Sequence, residues 1–266
     1  MEEKKLLKPM ELSDFFDISF YLLRRNFLLF VCISGIVIVP AYSIIGICFS
    51  KINQNLIQSL MQIVVSIFQP IVVAAATYAI SKRYLGESCT VWQAYGAVFK
   101  RFFPFVWTTI VVGLIMMAGS LAFIFPMIIM SFWYTFVTPV FMMEGLQFKD
   151  ARVRSKHLAE GHWYRIFLIN LLYSIIAGFI TGILILPAAI ILGVFAASSK
   201  SADMVIPAWY WIYIAVATAI QMTIQMVVPV LLYYDIKIRK EGFDLEMLAS
   251  SITKNEQSGG TISGAV

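Results

Sequence analysis

Residues 102–143 contain no Asp, Glu, Lys, Arg or His, a run of 42 positions punctuated by Pro104, Pro126 and Pro139. A helix crosses the hydrocarbon core of a bilayer with about 20 apolar residues, and unpaired backbone groups are not tolerated there. A run twice that length predicts one helix out and one back, turning near Pro126. Four more uncharged runs flank it, at residues 27–49, 52–81, 166–199 and 204–234. Taken in pairs, they predict six spans arranged as three hairpins.

Composition places the chain in the same class. It is 60% hydrophobic and 13% charged, with a mean hydropathy of +0.84; soluble domains use about 45–50% apolar and about 25% charged residues. The expected fold is therefore all-α and polytopic. Three segments follow from the runs: a cytoplasmic amphipathic N-terminal segment (1–26), a six-helix membrane domain (27–234) and a cytoplasmic tail (235–266), disordered after about 250 on composition. The first apolar run is kept as a span. A cleavable leader is acid-poor, whereas this one is preceded by Glu2, Glu3, Glu11, Asp14 and Asp17.

Charge sets the orientation. The N-terminus, the segments 82–101 and 144–165, and the C-terminus carry 18 of the 20 Lys and Arg residues; Lys51 and Lys200 are the other two. The positive-inside rule then puts both termini in the cytoplasm. This accounts for the net charge of +5 without a nucleic-acid partner. Tyr42, Trp133, Trp209 and Trp211 are expected near the outer boundary, and Trp92, Trp163, Tyr164 and Tyr233 near the inner one.

Each hairpin is preceded by a basic and aromatic collar, and together these predict interfacial helices around residues 11–25, 90–101 and 149–163. In the first, Leu12, Phe15, Ser19 and Leu23 share a face away from Asp14 and Asp17. In the second, Thr90 and Gln93 have capping-box spacing. The third is expected to lie along the membrane surface. The collars suggest one unit present three times. Their cations Arg24, Arg25, Lys100, Arg101, Arg152, Arg154, Lys156 and Arg165 are candidate contacts for anionic lipid headgroups or a cytoplasmic protein partner.

The returning spans share a second register. Pro70, Pro139 and Pro229 are preceded at eight, four and one positions by Gln62, Ser66 and Gln69, by Ser131, Thr135 and Thr138, and by Gln221, Gln225 and Val228. Eight of these nine are polar, and the spacing puts each set on one helix face. Two readings stay open. Such side chains satisfy carbonyls freed by proline and bond between packed helices, or they line a hydrated path.

Chemistry is sparse elsewhere. No titratable Asp, Glu, Lys, Arg or His falls inside a predicted span, which argues against proton-coupled transport and intramembrane proteolysis. His157 and His162 lie outside any HExxH pattern, and Cys32, Cys48 and Cys89 form no CxxC pair, so no metal, disulfide or other cofactor is expected. No phosphate-binding glycine motif is present. Asn170 suits an interhelical hydrogen bond, and Glu144 and Asp235 are expected to bond local basic residues or helix N-termini rather than to act in acid–base catalysis.

Three stretches carry a resemblance: PMELSDFFDISFYLLRRNFLLF, TPVFMMEGLQFKDARVRSKHLAEGHWYRIF and PVLLYYDIKIRKEGFDLEML. They resemble prokaryotic six-span proteins of the glycerophosphoryl diester phosphodiesterase membrane-domain type, similar to the YciC-like membrane proteins. The resemblance implies a membrane domain without an assigned activity. In fusions, the hydrolase is a separate barrel of about 250 residues, so no catalytic residue carries over. The expected function is non-enzymatic: a membrane scaffold, anchor or partner subunit. The alternative is a transporter or channel-like protein for a lipid or small polar solute, using the polar stripes.

Overall fold

A computed structural model describes residues 9–48, 54–122, 124–198 and 207–242, and among these it is all-helical. Five helices are long and apolar enough to cross a membrane: α1 (Leu12–Cys48), α2 (Gln54–Tyr84), α4 (Phe102–Ala122), α8 (Trp163–Ser198) and α9 (Ala208–Glu241). Four shorter ones complete the set: α3 (Val91–Phe99), α5 (Ile124–Tyr134), α6 (Val137–Met143) and α7 (Phe148–Ala159). Lys51, Lys200, Asp203 and the tail after Gly242 lie outside the described residues, so the predicted outer charges and disordered end do as well.

Local sequence explains the boundaries. Within α1, Asn26 leaves helical geometry at φ −120°, ψ 21°, and its Nδ2 donates to the Leu22 carbonyl at 3.1 Å. The helix bends where charged residues give way to the first apolar run. α3 begins with the capping box: Gln93 N–H donates to Thr90 Oγ1, and Thr90 N–H to Gln93 Oε1 at 3.0 Å. α9 ends at Gly242, in the left-handed region at φ 61°, with Arg239 and Lys240 in its last turn complementing the helix dipole.

The second hairpin departs from expectation. α4 has 21 residues, about 30 Å at 1.5 Å per residue, enough to cross. The return leg is not one continuous helix: α5 has 11 residues and α6 has 7, separated by a break at Thr135 and Phe136. Pro139 therefore sits in the first turn of a new helix, where its missing N–H costs nothing. The hairpin still closes on itself. The Arg101 guanidinium lies against Gly145, and Phe148 N–H donates to Thr108 Oγ1 at 3.2 Å.

α9 is the central helix: 61% of its most apolar window is buried, against 11% for α8 and 17% for α4. It packs most extensively on α1, then on α8 and α2. Midway along that contact, the Ser34 hydroxyl donates to the Ala219 carbonyl at 2.9 Å and lies 2.9 Å from the Thr223 hydroxyl, with both side chains fully buried. Such bonds fix helix register where apolar packing alone discriminates weakly. Tyr173 donates to the Ile224 carbonyl at 3.0 Å, and Tyr95 to the Ile33 carbonyl at 2.6 Å.

Candidate functional site at the charged end

All the charged segments in the described residues meet at one end of the bundle. There the Asp235 carboxylate, fully buried on α9, accepts from Met10 N–H at 2.8 Å, Arg165 Nε at 2.6 Å and Arg239 Nε at 3.1 Å. Both arginines also donate to the Met10 carbonyl. One peptide unit and one carboxylate thus tie the start of the chain to α8 and α9. A buried carboxylate requires this much compensation, because an unpaired ion would carry a desolvation cost of several kcal/mol.

A second cluster centres on Glu144, just after α6. Arg154 of α7 forks onto it, with Nε–Oε2 at 2.8 Å and Nη2–Oε1 at 3.1 Å. Tyr233 donates its hydroxyl at 2.8 Å, and Lys237 Nζ lies at 3.3 Å. Burial pushes the Glu144 carboxyl up, but the hydrogen bonds from Arg154 and Tyr233, with the Lys237 and Arg154 charges, outweigh it and hold the group below its ordinary value. The opposite edge of Arg154 reaches Glu241 at 2.5 Å and 2.7 Å, closing α7 onto the end of α9. Glu144 and Asp235 thus bond local basic residues, as expected from the sequence.

α7 is two-faced: Lys149 and Val153 are exposed, while Ala151, Ser155, Leu158 and Ala159 form a buried face packed on α5 and α6. Ser155 fills the break in the return leg: its hydroxyl donates to the Trp133 carbonyl at 2.6 Å and accepts from Phe136 N–H at 3.1 Å. Buried backbone groups freed by a break need a partner, and Ser155 supplies it here. Trp133 is also relocated. Its ring carries Lys156 Nζ at 4.2 Å, which places it at the charged end rather than the outer boundary. Tyr233, expected as an interfacial anchor, is buried and bonded to Glu144.

Of the predicted contact cations, Arg24, Arg25, Lys100 and Arg101 are exposed and Arg152 is half-buried. Arg154 and Arg165 are engaged inside the protein, and Lys156 is shared between Trp133 and Glu160, 3.8 Å away. Of the first collar's predicted face, Phe15, Ser19 and Leu23 are buried in the bundle, while Leu12 is partly open. His157 and His162 flank the α7–α8 turn, and the His157 carbonyl accepts from Lys240.

The polar stripes differ in exposure: Gln62, Ser66, Gln69 and Gln225 are exposed, and Ser131, Thr135, Thr138 and Gln221 are half-buried. Ser66, Ser131 and Thr135 bond carbonyls of their own helices, Ile63, Ile128 and Ser131. α5 packs mainly on α4 and α7, whereas α2 packs on α1, α3, α6 and α9. Asn170 Nδ2 likewise donates within its own helix, to the Ile166 carbonyl at 2.8 Å, rather than to a neighbouring one.

Cavities and grooves are present among the described residues. One of about 500 Å³ lies between the end of α2, the turn after it, α3 and α6; two more, of about 760 Å³ and 450 Å³, are apolar grooves along α8 and between α5 and the α7–α8 turn. None of these is lined by a stripe residue. No family model, curated protein or solved structure matches the chain. The sequence-level reasoning missed Ser34, Ser155 and Thr223, whose only signal is a small hydroxyl residue in an otherwise apolar or basic stretch.

Proposed function

We propose that this chain is a non-enzymatic integral membrane protein that crosses a bacterial cytoplasmic membrane six times, as three related hairpins. Both termini lie in the cytoplasm, and the charged end serves as a scaffold or anchor face for anionic lipid and a protein partner. One observation carries the reading. The buried Asp235 and the half-buried Glu144 are consumed in internal pairs, while Arg24, Arg25, Lys100 and Arg101 remain exposed around the same end without an acidic partner among the described residues. Ion pairs that hold a platform rigid, ringed by exposed cations, suit contact better than proton transfer. The return of each hairpin to that end supports an even number of crossings.

The test is a photo-activatable side chain placed at Arg24 or Arg152, and for comparison at Ile63, in native membranes. Reproducible adducts to protein or to lipid headgroups are expected at the first two positions, and adducts to lipid acyl chains alone at Ile63; equal protein and headgroup adducts at both ends overturn the reading. Labelling of a cysteine in the tail by an impermeant thiol reagent in intact cells would reverse the orientation.

A transporter reading draws on a different observation, the exposure of Gln62, Ser66, Gln69 and Gln225 in long apolar helices. Flux through reconstituted liposomes that disappears with Gln62→Leu and Gln225→Leu would favour it over the scaffold.

A further inference from the structure

We infer that the 500 Å³ cavity between α2, α3 and α6 binds a phosphate-bearing anionic group, the chemistry shared by an anionic phospholipid headgroup and a free phosphate ester. The inference deepens the proposed function, since it rests on the charged end facing lipid headgroups. The volume falls within the range of about 300–1,000 Å³ usual for small-molecule sites. Lys82, Lys100 and Arg101 line it, and Glu87 is the only acid among the lining residues. Glu87 is taken by Lys82 at 2.6 Å. Among the described residues, Lys100 and Arg101 have no acidic partner, so the cavity carries two unbalanced positive charges.

The polar walls are oriented for an acceptor. Gln93 uses its Oε1 to accept from Thr90 N–H, which leaves its amide N–H₂ to donate into the cavity it lines. Arg101 is held by contact with Gly145, at φ +72°, where any side chain would meet the guanidinium. Gly96 also lines the cavity, and a Cβ there would meet nothing within 4 Å, so a larger side chain at this position can fill the space without a clash. The cations also sit at the right height, since Lys82 precedes the end of α2 by two residues and Arg101 immediately precedes the apolar α4. Headgroup phosphates lie at that boundary.

The experiment is native mass spectrometry of the full chain in detergent, titrated with phosphatidylglycerol, with phosphatidylcholine, and with inorganic phosphate as competitor. Saturable binding of phosphatidylglycerol over phosphatidylcholine is expected. The Lys100→Ala/Arg101→Ala variant should weaken it about tenfold, a loss of roughly 1.4 kcal/mol. Gly96→Leu should weaken it comparably without lowering the melting temperature, and Lys149→Ala, an exposed cation outside the cavity, by less than about twofold. Retention of the lipid in millimolar phosphate identifies a headgroup site, and its release identifies a free phosphate ester as the occupant. Unchanged binding by Gly96→Leu and the double variant, or an equal loss with Lys149→Ala, overturns the cavity while leaving the charged-end reading standing. No preference for phosphatidylglycerol together with no phosphate binding overturns both.

Discussion

At the charged end, Asp235 and Glu144 each hold three partners, and Tyr84, Phe141, Leu158 and Tyr233 are almost wholly buried. At the far end, Ile63, Ile67, Leu121 and Ile183 lie open along the same helices. In water the second region would be the defect, but lipid is as apolar as these side chains and little is gained by covering them. What a bilayer penalises is an unsatisfied polar group. Packing has therefore concentrated where carboxylates, a broken helix and a peptide unit impose specific geometry, and the remainder is left to lipid.

If that contrast is right, substitutions should separate the two ends by size of effect. The largest belongs to Asp235. Asp235→Ala leaves Arg165 and Arg239 facing each other without a counter-charge and Met10 N–H without an acceptor, at a cost of about 3–5 kcal/mol in unfolding free energy. Denaturant titration of the purified protein measures it, and Ile67→Ala serves as the far-end control. A loss below about 1 kcal/mol would mean that the cluster is solvated rather than structural.

Ser155 comes next. Ser155→Ala removes the hydroxyl alone and strips the partner from both Phe136 N–H and the Trp133 carbonyl, at about 1–3 kcal/mol for each group left buried and unsatisfied. The far end has one tight contact that ought to approach this. Gly46 lets α1 touch α9 so closely that a Cβ would run into the Trp211 ring. Gly46→Ala should therefore cost about 1–3 kcal/mol by overpacking, measured in the same titration. A neutral result would extend the lipid-like tolerance of that end even to its helix contact.

The sequence made the polar and apolar layout legible, and with it the Thr90–Gln93 box and the pairing of Glu144 and Asp235 with basic neighbours. These depend on residues close in the chain or on charge alone. Illegible were the bend at Asn26, the break at Thr135–Phe136 and the groups that repair it. Pro139 announces a disturbance, but whether a kink or a new helix results depends on Ser155, which arrives from a segment whose basic residues suggested a surface helix. Likewise Ser34 and Thr223, 189 positions apart, meet only because two helices share a rotation and a depth.

Acid should act on the charged end alone. The Glu144 carboxyl lies below its ordinary value of 4.5 in the folded chain, so its contribution is complete above that value and disappears as pH falls through the lowered one. The melting temperature should drop on the acid side of pH 4.5, and Glu144→Gln should flatten that part of the profile while lowering the neutral plateau. The smallest effect is expected for Gln62→Leu, exposed on α2. With nothing packed on it to lose, the change should stay within about 0.5 kcal/mol. A larger loss would show that the amide is held by a partner in the membrane.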